Sequence, residues 1–397
     1  MEVYLDNSAT TKAYDEVAKM VSDIMCNHYG NPSSLHTMGV DAENIIKEAK
    51  QNIAKIWKVS EKEVFFTSGG TESDNLALRG AAFANKRAGR HIISSKIEHP
   101  AIINTCKYLE EEGFNITYLS VNSYGEIDLE ELKNSLRDDT ILVSIMHVNN
   151  EIGTIEPIEK IGEIVKFFNP KILFHVDDVQ GFGKVSLNLK KAEVDLCSIS
   201  SHKIHGPKGV GVLYIKNGTK INPIVFGGEQ QGNIRSGTEN VHGIAGIGLA
   251  SKLIYNDLQE KQNKMFNLSL KLIKAIKSIP DTNIFGNIGE ADFNNSIYED
   301  GAYGFAPHII SAGFKDIRAE VLLHSLEEFG IYVSSGSACA SNHPHVSSVL
   351  SSINAKREYL EATIRFSLSE FTTEEEIDYT ISKLNEIVPR LRKYKAR

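Results

Sequence analysis

From about residue 60 the chain alternates short runs rich in Val, Ile and Phe with stretches of helical periodicity, and this alternation constrains its fold most. The runs are Val64-Phe65-Phe66, His91-Ile92-Ile93, Ile116-Thr117-Tyr118-Leu119, Ile141-Leu142-Val143-Ser144-Ile145, Ile172-Leu173-Phe174-His175-Val176 and Val210-Gly211-Val212-Leu213-Tyr214-Ile215. Runs of this composition, with helices between them, read as strands of a mostly parallel sheet whose crossovers cover its faces. One crossover helix is explicit. Ile158, Ile161, Ile164, Val165 and Phe168 recur at helical spacing, and Pro157 suits its first turn. The fold class is α/β.

Past residue 250 the texture changes. Asp257 to Ile279 is a long, charged, helical stretch able to bridge two domains. Short strands at Ile309-Ile310-Ser311 and Tyr332-Val333-Ser334 follow, mixed with helices. The last helix opens on a capping box, Thr373 with Glu376, and lines Ile377, Ile381, Leu384 and Val388 on one face. A basic tail (Arg390, Arg392, Lys393, Lys395, Arg397) is expected to follow it as a solvated end. The length of 397 residues suits two domains. A net charge of -8 argues against a nucleic-acid backbone as the main partner. No apolar run reaches membrane-spanning length, and the opening residues lack the basic start and apolar run of a secretory signal. Cys26, Cys106, Cys197 and Cys339 are scattered without paired spacing, so a cytoplasmic location and thiol chemistry are expected.

Five segments carry chemistry. In Phe66-Thr67-Ser68-Gly69-Gly70-Thr71-Glu72-Ser73 a strand ends, two glycines turn, and a helix begins near Thr71. Such a turn either cradles a phosphate with backbone N–H groups or is an ordinary helix cap. It has neither the G-K-[ST] of a Walker loop nor a G-x-G-x-x-G fingerprint. His175-Val176-Asp177-Asp178-Val179-Gln180 delivers two carboxylates and an amide to a strand end, where a carboxylate either pairs with a cationic ring nitrogen or caps the next helix. Ser198-Ile199-Ser200-Ser201-His202-Lys203-Ile204-His205-Gly206 sets a lysine among hydroxyls and imidazoles. A lysine so placed can form a Schiff base with an aldehyde cofactor. Together these are the needs of pyridoxal phosphate: an amine for the aldehyde, an acid for the pyridinium nitrogen, and a helix N-terminus with hydroxyls for the phosphate. Cys339 lies in the small-residue run Ser334-Ser335-Gly336-Ser337-Ala338-Cys339-Ala340-Ser341, which suits an accessible thiol, whereas Cys106 and Cys197 read as buried and inert. His343 and His345 follow Cys339, but no fourth ligand is evident and no metal site is expected. Arg365, in a strand-like alternation, suits a substrate carboxylate or an ion pair at the surface.

With these residues assembled, the chain resembles the cysteine desulfurases, fold-type I pyridoxal-phosphate enzymes of the class V aminotransferase superfamily, and among them the NifS/IscS-like group. The resemblance runs from Tyr4-Leu5-Asp6-Asn7-Ser8-Ala9-Thr10-Thr11 to Phe371-Thr372-Thr373-Glu374. Between them it passes through Asn31-Pro32-Ser33-Ser34, Glu98-His99-Pro100-Ala101, Val148-Asn149-Asn150-Glu151, His202-Lys203-Ile204-His205-Gly206-Pro207, Arg235-Ser236-Gly237-Thr238 and Ser335-Gly336-Ser337-Ala338-Cys339. It implies a large cofactor-binding domain over 15–258, with 1–14 and 259–397 forming a smaller α+β domain that carries the catalytic cysteine loop. It implies that Lys203 is the Schiff-base lysine, Asp177 the partner of the pyridine nitrogen, Gln180 the contact to the ring hydroxyl and His99 the ring-stacking residue. Thr71, Ser200 and His202 are implied as phosphate ligands, with Thr238 supplied by the second subunit of a homodimer. Asn150 and Arg365 are implied as contacts to the substrate carboxylate, and Cys339 as the nucleophile that takes the sulfur of L-cysteine as a persulfide, releasing alanine. An acceptor protein, such as an Fe–S scaffold or a thiolation enzyme, is the implied partner. A selenocysteine lyase, another class V aminotransferase, and a non-enzymatic scaffold of the same fold are the alternatives. The sequence departs from the family at Asp178, usually a small residue, which is expected to point away from the cofactor along the strand period. It departs again at Ser369-Glu370, where the family often has Gly-Arg.

Overall fold

The computed structural model describes residues 1–287, 305–335 and 347–395. Every run read as a strand is one except Tyr332-Val333-Ser334, which is divided at Val333 between two short strands of different sheets, Ile331–Tyr332 and Ser334–Ser335. The large sheet has seven strands in the spatial order Val64–Thr67, Gly211–Ile215, Leu196–Ser200, Leu173–Asp177, Thr140–Met146, His91–Ser95 and Asn115–Leu119. Gly211–Ile215 runs antiparallel to both its neighbours, and the other six strands share one direction. Thr140–Met146 is buried at all seven positions, as a central strand covered on both faces must be. The crossover helix spans Ile158–Phe168. Pro157 sits one position before it, as its cap, where the lack of an N–H costs nothing. Ile158, Ile161 and Val165 pack with Phe174 and Ala192, each fully buried aliphatic side chain contributing about 1.5–3 kcal/mol.

A second core gathers Val3 and Leu5 with residues of Leu258–Ser278, Ile309–Phe314, Ala319–Glu327, Thr363–Ser367 and the last helix. Its antiparallel sheet runs Ser334–Ser335, Thr363–Ser367, Ile309–Phe314, Thr282–Phe285. The N-terminal strand Val3–Tyr4 pairs in parallel with Ile331–Tyr332. The Thr373–Glu376 capping box is formed in both directions, at 2.7 and 3.2 Å. The basic end, however, is not a tail beyond the helix. The helix continues to Lys395, and Arg392 donates to the carbonyls of Lys315, Pro280 and Asp281 at 2.6–3.1 Å. Three carbonyl acceptors in one place hold a guanidinium better than solvent does, so the basic segment is docked at Arg392. Among the described residues no helix is long and apolar enough to cross a membrane.

Candidate active site

The site forms where the parallel strands end at their C-terminal edge, the usual position for ligands of open α/β sheets. Leu173–Asp177 delivers Asp177, buried, with Oδ1 accepting from the Val179 N–H at 3.0 Å. Burial pushes this carboxyl up to about 6 against the pull of that N–H, with the Asp178 charge adding to the rise and Lys203 opposing it. An acid in this condition gains from a cation placed against it. Asp178 turns away, as expected, onto His147: its Oδ1 lies 2.6 Å from Nδ1, both side chains buried. Its charge nonetheless reaches Asp177.

Gln180, on the following turn, donates from Nε2 to the Ser8 carbonyl at 3.0 Å, while its Oε1 is buried with no hydrogen-bond partner. Lys203, in the short helical turn Ser201–Lys203, donates from Nζ to the same Ser8 carbonyl and to that of Ala9 at 2.8 Å. The Gln180 amide and the Lys203 amine are thus brought together by the N-terminal segment. Ser200, buried, closes Leu196–Ser200, and His202 Nδ1 lies 3.2 Å from Thr10 Oγ1. Burial, then the Lys203 charge, pushes His202 down to about 4. The same two causes push His99 down to about 4. His99 caps the helix Pro100–Glu111 by accepting from the Ala101 N–H at 3.1 Å, a neutral ring on a fixed stem.

The two-glycine turn leads into the helix Gly70–Asn85, with Thr71 in its first turn. Its cap, Gly69, has a φ of 154° and contributes no side-chain bond, so the first-turn N–H groups are not covered by a cap. A Cβ on Gly69, or on Gly209 opposite the strand end, would meet nothing within 4 Å. Thr238 borders a cavity of about 160 Å³ with Thr67, Ser68 and Gly209 of the same chain. Its loop is fixed by Arg235, whose Nε donates to Glu72 at 2.8 Å.

Arg365 is not a surface ion pair. It lies in the inner strand Thr363–Ser367 of the small sheet, 5% exposed. Nη1 donates to the Asn150 backbone carbonyl at 2.8 Å and Nη2 to Asp6 at 3.1 Å, and Nε is buried without a partner. Asn150 therefore meets Arg365 through its main chain. Residues that sequence reasoning does not single out hold this geometry. Asp6 and Ser8 are the acceptors just described. Asn149 pins the loop by donating to the Ile97 carbonyl at 2.9 Å and accepting from the Glu151 and Ile152 N–H groups. The Asn149-Asn150 doublet directly after a buried strand is the available signal for the last. Cys106 and Cys197 are buried, and burial holds both thiols up, Cys106 at about 12. Cys26 is exposed. Cys339, with His343 and His345, lies outside the described residues.

Residues 3–380 match the class-V aminotransferase family. The chain belongs to this family, and its cofactor is pyridoxal phosphate. Within the family it groups with the cysteine desulfurases. It is 43% identical to cysteine desulfurase IscS of Methanosarcina thermophila over 390 residues, 98% of this chain and 93% of that protein. A solved NifS-like protein superposes with a TM-score of 0.89 at 39% identity, covering 98% of this chain and all of that one. SspA in complex with cysteine matches with a TM-score of 0.76 at 30% identity, covering 94% of this chain and all of that one.

The residues present fit the cofactor. An acid raised by burial waits for a cation, a buried amide oxygen lacks a partner, and the glycine turn opens onto free space beside Ser200 and the uncapped helix end.

Proposed function

We propose that the chain converts L-cysteine to L-alanine and carries the sulfur as a persulfide on Cys339, for transfer to an acceptor protein such as an Fe–S scaffold or a thiolation enzyme. The observation that carries this reading is the meeting of Lys203 and Gln180 at the Ser8 carbonyl, beside Asp177, with Arg365 brought in by the small sheet. Pyridoxal phosphate, when bound, supplies an aldehyde for amines and a cationic ring that withdraws electrons from the substrate α-carbon. Lys203 would hold the aldehyde, Asp177 the ring nitrogen, Gln180 the ring hydroxyl, and Thr71, Ser200 and His202 the phosphate. His99, neutral, would cover the ring without burying a second charge. Lys203 would take the α-proton of cysteine and, once the C–S bond has broken, return a proton to the same α-carbon. The Arg365 fork, with Asn150, orients the substrate carboxylate. The Cys339 thiolate attacks the substrate sulfur, so that an S–S bond forms as the C–S bond breaks. The electron pair left on carbon takes a proton, and alanine departs.

The same reading takes the chain as a homodimer in the reducing cytoplasm, with Thr238 completing the partner's phosphate site. It divides the chain into a large domain over 15–258 and a small one made of 1–14 and 259–397, a division that the two separate cores support. Incubation with L-cysteine and a reductant should release alanine and sulfide in equal amounts. A keto acid in place of alanine would make the chain a transaminase and refute the proposal.

Arg365→Ala and Arg365→Lys should each lower kcat/KM for cysteine by roughly ten- to a thousandfold, because both lose a bidentate contact worth a few kcal/mol. Cofactor content, read from the visible spectrum, should not change. Normal kinetics in either variant would leave Arg365 the structural task of holding Asp6 and the Asn150 carbonyl.

A further inference from the structure

Behind Asp177, where the helix Gly70–Asn85 packs on the sheet, lies a polar group that the proposed reaction does not use. Ser198 stands opposite Asp177 in the strand register, and Ser144 opposite His175. Ser144 Oγ is 2.9 Å from His175 Nδ1, and Ser198 Oγ is 3.0 Å from His175 Nε2. Asp74 reaches in from the helix, with Oδ1 3.7 Å from His175 Nε2. His175, Ser144 and Ser198 are wholly buried, Asp74 is 1% exposed, and its Oδ1 has no hydrogen-bond partner.

Three charge states suit this contact: a carboxylate with an imidazolium, a carboxylate facing the N–H of a neutral imidazole, or a neutral acid with a neutral imidazole. An ionised Asp74 would bury a carboxylate with one bare oxygen, and the other groups facing it (Asp177 and Cys197 from the sheet, Glu98 from the adjacent loop) offer no cation. Burial and then the Asp177 charge push the Asp74 carboxyl well up, and the Ser198 bond offsets this only in part. Burial likewise pushes His175 down to about 3, and Glu98 up to about 8.

We propose that Asp74 is a positioning residue for Asp177, held as the neutral acid with its O–H directed toward His175, so that the helix adds no further anion beside Asp177. The inference rests on the reading of Asp177 as partner of the ring nitrogen. A second anion there would contest the proton that Asp177 must share with the ring, as two carboxylates in one site do.

Infrared difference spectra of the cofactor-loaded enzyme at neutral pH, wild type minus Asp74→Asn, should show the loss of an acid carbonyl stretch that shifts in D2O. Loss of carboxylate bands instead would overturn the proposal. In the wild type, the ¹⁵N shifts of His175 should be those of a neutral ring, and an imidazolium would overturn it without any variant. Asp74→Asn, which keeps shape and donor, should leave the pH profile of the visible band in place. Asp74→Leu should move it, and a profile unmoved in the folded Leu variant would reduce Asp74 to a filler. Asp177→Ala separates the two readings, because it tests the ring-nitrogen contact by itself, whereas the Asp74 infrared assignment is made in proteins that keep Asp177.

Discussion

Lys203→Ala is expected to abolish both the visible absorption of the lysine-bound cofactor and turnover with cysteine. The effect should be large because one amine performs two tasks. It holds the aldehyde, and it moves the proton at the substrate α-carbon. Loss of a positioned proton-transfer group alone costs about 10²–10⁴-fold. The position of the amine explains why no neighbour substitutes for it. Nζ is directed by two backbone carbonyls, Ser8 and Ala9, that belong to another segment of the fold and remain after the substitution. Lys184, a buried lysine near the site, stands on the turn after Gln180, and burial pushes its ammonium down to about 7. Spectra before and after borohydride, with mass mapping of the linkage, check the assignment. A borohydride-reducible linkage that persists in Lys203→Ala would move the role to another residue, with Lys184 the first to examine.

Cys339→Ser should separate binding from sulfur transfer. Asp177, Gln180 and Lys203 are untouched by it, so the cofactor spectrum and its response to added cysteine should be retained. Release of alanine and sulfide should fall to background, because a hydroxyl at neutral pH is far weaker than a thiolate toward sulfur. The remaining cysteines are poor replacements. Cys106 and Cys197 are buried with raised thiols, and Cys26 lies on the first helix, Asp15–Asn27. Full activity in Cys339→Ser would exclude the persulfide route through this residue.

Much of the fold and of the site is legible in the amino-acid sequence. Buried parallel strands are mostly apolar, so their runs stand out, and the segments at their ends (Asp177, Lys203, the glycine turn) can be placed by position alone. The capping box and apolar face of the last helix are equally local. Long-range contacts are not. Asp6 meets Arg365 across 359 residues and Ser8 meets Gln180 across 172, and no local period encodes such a pairing. Hence the sequence leaves Arg365 open to a surface role, and gives Asp6 and Ser8 no role of their own. The helical continuation through Arg390 and Arg392 escapes a local reading because a basic run with Pro389 before it resembles a helix end, whereas docking of Arg392 on three carbonyls holds the helix in place. The strand period places Asp178 correctly as pointing away, but it gives no sign of the partner His147, 31 residues distant.

The central claim, that this chain moves sulfur from cysteine to its own Cys339, is tested most directly by a single-turnover reaction. The cofactor-loaded enzyme is mixed with one equivalent of L-cysteine without reductant, then quenched and mapped by mass spectrometry while alanine is counted. The account predicts one added sulfur on the Cys339 peptide for each alanine formed. Alanine without sulfur on that peptide, or sulfur carried by Cys26, Cys106 or Cys197 instead, would contradict it.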